Sequence, residues 1–173
     1  MGLRGPGARP KAGIAKPKRE RRPSWQKKGL TRAERVIRFV ESLKVTSGAH
    51  AGRKFRLRSW QREIIREWYA TDAKGRRIVR TGLLSLGRKN GKTSTCSALA
   101  LCHLLGPEQE RRGQIVVGAS DRDQSGLIFD EIEAFVADNA GFAAECNVQR
   151  HAKIIEHLPS GSKFRALSSD AKK

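Results

Sequence analysis

The stretch TGLLSLGRKNGKTSTCSALALCHLLG, residues 81–106, decides the fold. It completes an apolar and β-branched run, 78–86, that predicts a buried strand. Gly87, Arg88, Lys89, Asn90, Gly91, Lys92 and Thr93 follow at once, and the pattern then turns helical over 93–105 before the stop signal Gly106 and Pro107. A glycine-rich loop between a strand and a helix is the setting in which GKT has physical meaning as a phosphate loop. Backbone amides there wrap the phosphates, aided by the helix N-terminus. Gly91 lets the backbone come close, Lys92 reaches the β and γ phosphates, Thr93 offers a hydroxyl to Mg²⁺, and Ser94 closes the set. The full pattern GxxxxGK[ST] requires a glycine where Leu86 stands, and Gly87 arrives one residue late. The plain alternative is a basic turn ahead of an ordinary helix. The flanking strand and helix favour nucleotide.

Downstream, 114–119 predicts the next strand. Ser120 and Asp123 offer a capping box for a helix to about residue 138, with Leu127, Ile128, Ile132, Phe135 and Val136 on its buried face. Residues 127–131, Leu-Ile-Phe-Asp-Glu, imitate a Walker B strand, but the helical spacing continues past Asp130 and Glu131 and turns both carboxylates toward solvent. Residues 153–158 and 163–167, joined around Pro159, predict a hairpin. Upstream, Thr31 and Glu34 form a capping box for a helix over 32–43, and Ser59 caps a second helix with the stripe Trp60, Ile64, Ile65 and Trp68. Strand, glycine loop, helix, strand and helix predict an α/β sheet with flanking helices.

Charge narrows the partners. The 173 residues carry 36 Lys and Arg against 17 Asp and Glu, a formal net charge of +19. Residues 1–32 hold eleven of those cations and only Glu20, so they are net +10 and the rest is +9. Four of the six prolines also fall there, a composition that predicts a disordered basic arm over 1–31 ahead of one folded domain, 32–173. Such a balance favours a polyanion, with nucleic acid first and a membrane surface a distant second. No run approaches a membrane span, no secretory signal opens the chain, and Pro6 breaks the myristoylation pattern after Gly2. A cytosolic chain is expected. Cys96, Cys102 and Cys146 form no CxxC pair and predict reduced, buried thiols.

The late glycine and early arginine of GRKNGKT resemble the deviant Walker A of tailed-phage terminase large subunits, in the HK97-like branch. LRSWQREIIREW upstream is similar to the family's adenine-reading segment, and Gln61 lies 31 residues ahead of Lys92. Residues 116–136 and 157–171 resemble the strand, helix and hairpin that follow. The resemblance implies a RecA/ASCE-like P-loop NTPase sheet, incomplete here, that uses ATP and Mg²⁺. It gives Arg88 the role of an arginine finger in cis, Gln61 an adenine edge and Trp60 an apolar wall beside the base. It also implies a motor that drives double-stranded DNA into a procapsid from the host cytoplasm. Its partners would be a small terminase subunit and a portal, on which the chain would assemble as a homo-oligomer. The family's Asp-Glu pair and its nuclease are expected beyond Lys173, which makes the chain a truncated or split product without a complete catalytic site. Two other functions compete: a different P-loop ATPase such as a helicase, and a non-catalytic basic DNA-binding protein.

Overall fold

A computed structural model describes residues 22–168. Helix α1, Arg32–Val40, starts at the expected capping box, in which Thr31 accepts from the Glu34 N–H and Glu34 reaches back to the Thr31 N–H. Its remaining apolar residue, Leu43, lies in the turns that follow, so the helix is shorter than predicted. Helix α2 is Ser59–Trp68 and α3 is Lys92–Leu105. Strand β1, Gln114–Ala119, precedes α4, Arg122–Ala137, and the short α5, Ala140–Glu145. Strands β2, Cys146–Gln149, β3, Ile154–His157, and β4, Ser162–Ser168, end the described chain.

The four strands form one sheet in the order β1-β4-β3-β2, with β1 and β4 parallel and the other pairs antiparallel. The parallel pair sets Ile115 beside Phe164 and Val117 beside Ala166; Phe164 is fully buried in the core cluster, and the other three pack against it half-buried. Val36, Phe39 and Val40 of α1, Ala98, Leu101 and Leu104 of α3, and Phe129, Ile132 and Phe135 of α4 complete that cluster with Ile155 of β3. The hairpin turn has its own polar lock. His157 Nδ1 lies 2.7 Å from Ser160 Oγ, which donates to Ser162 Oγ at 2.9 Å.

The predicted strand over 78–86 does not form, because no described strand pairs with its backbone groups. Ile78 is 59% and Leu83 94% exposed, so the apolar run is not buried either. Its attachments are the Ile78 N–H, which donates to the Ala70 carbonyl at 3.3 Å, and Gly82, where an added Cβ would lie 2.6 Å from the Trp68 ring. Other differences are local. Asp121, rather than Ser120, caps α4 by accepting from the Gln124 N–H at 2.7 Å. Arg58, rather than Ser59, is the N-cap of α2. Residues 127–131 lie inside α4, so the imitation of a Walker B strand is helical, with Asp130 exposed. Of the predicted arm, 1–21 lie outside the described residues. The placed remainder includes Trp25, whose ring meets Phe39 edge-on at 5.6 Å.

Candidate phosphate-binding site

The loop from Gly87 to Gly91 enters α3 through an unusual backbone. Lys89 has φ 64° and Gly91 φ 71°. A left-handed residue costs a side chain roughly 1–2 kcal/mol, so Gly91 takes its place without penalty while Lys89 holds a strained one. Left-handed residues set among right-handed ones turn successive N–H groups to one side, the geometry of an anion nest. Asn90 closes the turn by donating from Nδ2 to the Gly87 carbonyl at 3.4 Å.

Electrostatics point the same way. The N-terminus of a helix carries partial positive charge and stabilises acidic neighbours. Helix α3 has no acidic residue in its first turn, and Lys92 stands at its first position. Arg88, Lys89 and Lys92 are exposed, and none makes an ion pair among the described residues. Three unpaired cations beside a positive helix end repel one another until an anion joins them. Thr93 is exposed on the same turn, and Ser94 is half-buried.

The structure brings Gln61 to this loop. Its Nε2 lies 3.9 Å from the Cβ position of Gly91 and donates to Thr95 Oγ1 at 2.8 Å. Its Oε1 accepts from the Arg58 N–H at 2.8 Å, which is the reach-back half of a capping box on α2. Gln61 is 5% exposed, so the amide bridges two helices and keeps one N–H and one lone pair unused by these bonds. Trp60 beside it is half-buried. Sequence reasoning missed Thr95, whose own hydroxyl donates to the Gly91 carbonyl at 2.9 Å and so ties the loop to α3. Its signal was a hydroxyl one turn ahead of the apolar positions Ala98, Leu101 and Cys102. Cys96, also in this turn, has its thiol pushed up by burial against the opposing pull of Lys92.

A second polar cluster fixes the far end of α3. Arg32 Nε donates to both Glu108 carboxylate oxygens at 2.9 Å, and its guanidinium sits 5.6 Å from the centre of the Tyr69 ring. Hydrogen bonding to Glu108 holds Arg32 above its ordinary value. The Tyr69 hydroxyl and His103 Nε2 lie 2.9 Å apart. Burial raises the Tyr69 phenol and lowers the His103 imidazole, so the phenol donates to a neutral ring.

The family model for the terminase large subunit, ATPase domain, matches residues 59–172. The terminase large subunit of Enterobacteria phage HK97 is 33% identical over 144 residues, 83% of this chain and 28% of that protein. The crystal structure of the HK97 bacteriophage large terminase superposes with a TM-score of 0.71 at 32% identity, covering 83% of this chain and 29% of that one. The chain thus spans less than a third of the length of these relatives.

Proposed function

The chain belongs to the terminase large subunit ATPase-domain family, and from that premise we propose that residues 87–94 bind ATP with Mg²⁺ to power the movement of double-stranded DNA. The observation that carries this reading is the set of cations, Arg88, Lys89 and Lys92, that make no ion pair among the described residues and stand at the N-terminus of a helix without a first-turn acid. Lys92 and the backbone amides around Gly91 hold the phosphates, and the Thr93 hydroxyl is the Mg²⁺ ligand. The ion neutralises phosphate charge when bound. Arg88 stabilises charge on the transferring phosphoryl group. Gln61 offers its remaining N–H and lone pair to the adenine edge while its other bonds hold α2 to α3, and Trp60 walls the base.

By the same reading DNA enters a procapsid, with a small terminase subunit and a portal as partners and the chain repeated on the portal. We place the carboxylates that orient the attacking water outside residues 22–168, since Asp130 and Glu131 belong to α4. The described residues therefore bind nucleotide and turn it over negligibly.

Calorimetry with ATP and Mg²⁺ tests the site. Saturable binding that Lys92→Ala abolishes is expected, with a thermal shift worth about 2.7 kcal/mol at 100 times the dissociation constant. Equal affinity before and after the change refutes the phosphate-loop assignment. Hydrolysis that Asp130→Ala or Glu131→Ala abolishes refutes the placement of the carboxylates.

A further inference from the structure

Between Glu41 and Glu63 the chain holds Lys44, Arg53, Lys54, Arg56, Arg58 and Arg62 and no acid. Arg62 is paired with Glu41. The other five are exposed, and none makes an ion pair among the described residues. Val45, His50, Arg53, Lys54, Arg56 and Arg58 line a hollow of about 730 Å³. Like charges gathered on one wall without counter-charge raise the potential there and favour a polyanion.

The backbone explains how they gather. Lys54 bridges Lys44, and the Phe55 N–H donates to the Leu43 carbonyl at 2.9 Å. Phe55 and Leu57 are buried in the core, so Lys54, Arg56 and Arg58 all face outward. Alternation in an extended segment spaces such cations about 6.6 Å apart, at roughly 3.3 Å per residue. The row is fixed by its buried neighbours rather than by a flexible loop.

We propose that Arg53, Lys54, Arg56 and Arg58 form a ladder that tracks the phosphate backbone of duplex DNA without reading its bases. The lining has no Phe, Tyr or Trp on which unpaired bases stack, which favours an intact duplex over a single strand. Cations without those groups position a duplex through phosphate contacts. The ladder ends at Arg58, whose N–H is held by Gln61, so the surface stands one side chain from the phosphate loop. The proposal rests on the reading of DNA as partner but not on the nucleotide site.

The test is fluorescence anisotropy of the full chain with a mixed-sequence duplex, without nucleotide, over a range of salt. Each phosphate contact contributes about −0.9 to the slope of log affinity against log salt. The triple change Arg53→Gln, Lys54→Gln, Arg56→Gln should make that slope shallower by about 2.7. Exposed cations outside the hollow provide a matched control, Arg66→Gln, Lys74→Gln, Arg111→Gln, which should move it by less than one contact. A slope that ignores the ladder, or that responds equally to the control, overturns the ladder alone. A chain with no affinity for DNA overturns both the ladder and the reading of DNA as partner. Lost ATP affinity with an unchanged DNA slope makes the hollow a nucleotide subsite and overturns the ladder.

Discussion

Replacing Gln61 with methionine keeps the volume of the side chain and removes both ends of its bridge. The Arg58 N–H at the start of α2 then loses its acceptor, and Thr95 Oγ1 loses a donor while still donating to the Gly91 carbonyl. A part-buried N–H left without a partner costs about 1–3 kcal/mol, and the surviving bond of Thr95 keeps its own loss near the lower end. The expected destabilisation is about 2 kcal/mol, a fall of roughly 4–8 °C at 2–4 °C per kcal/mol for a domain of this size. Thermal unfolding of the nucleotide-free protein measures it, so adenine contacts cannot contribute. Thr95→Val removes the other end, and the double change should be less than additive by about 1 kcal/mol, since both variants break one bond. If Gln61→Met unfolds within a degree of the parent while ATP affinity falls, the amide serves only the ligand and the bridging argument is refuted.

Other expectations follow from single residues. Lys89→Gly relieves a left-handed backbone and should raise stability by about 0.5–1 kcal/mol after the entropic penalty of glycine, read as a higher melting temperature. Glu108→Ala strands Arg32. Glu108 is 8% and Arg32 24% exposed, so the loss should approach about 3 kcal/mol, the low end for a buried pair, by denaturant titration. The His103 imidazole is depressed by burial, so its contribution is present above the unfolded value near 6.5 and is lost as pH falls through the folded one. Melting temperature should therefore decline below about pH 6.5, and His103→Gln should flatten that decline.

Sequence periodicity anticipated α1, α2, α3, α4 and the hairpin because each has an apolar face bounded by a chemical stop. The cap positions slipped by one residue at α2 and α4, where Arg58 and Asp121 displaced their neighbours. Strand 78–86 failed for a physical reason. Hydrophobicity selects a strand only where another strand accepts its hydrogen bonds, and composition does not say which residues will do so. Helix α5 and strand β2 were missed because Ala140–Glu145 and Cys146–Gln149 are too short to show a period. At the candidate site, GRKNGKT stands out in the sequence through its residue types. Thr95 does not, because its role depends on meeting Gln61 across 34 residues.

The residues that break local rules converge on one point. Lys92 stands at the helix end that repels it, Lys89 holds a left-handed backbone, and Gln61 and Thr95 are polar groups buried where α2 meets α3. Each departure costs stability on its own. They persist together because α3 is anchored behind them by Ala98, Leu101, Cys102 and Leu104, all fully buried, and because the two polar groups satisfy each other. A surface turn with the same cations would relax by swinging its side chains apart. Here Gly91, Thr95 and Gln61 fix the loop to the core, so the positive end of α3 stays assembled, as the proposed phosphate site requires.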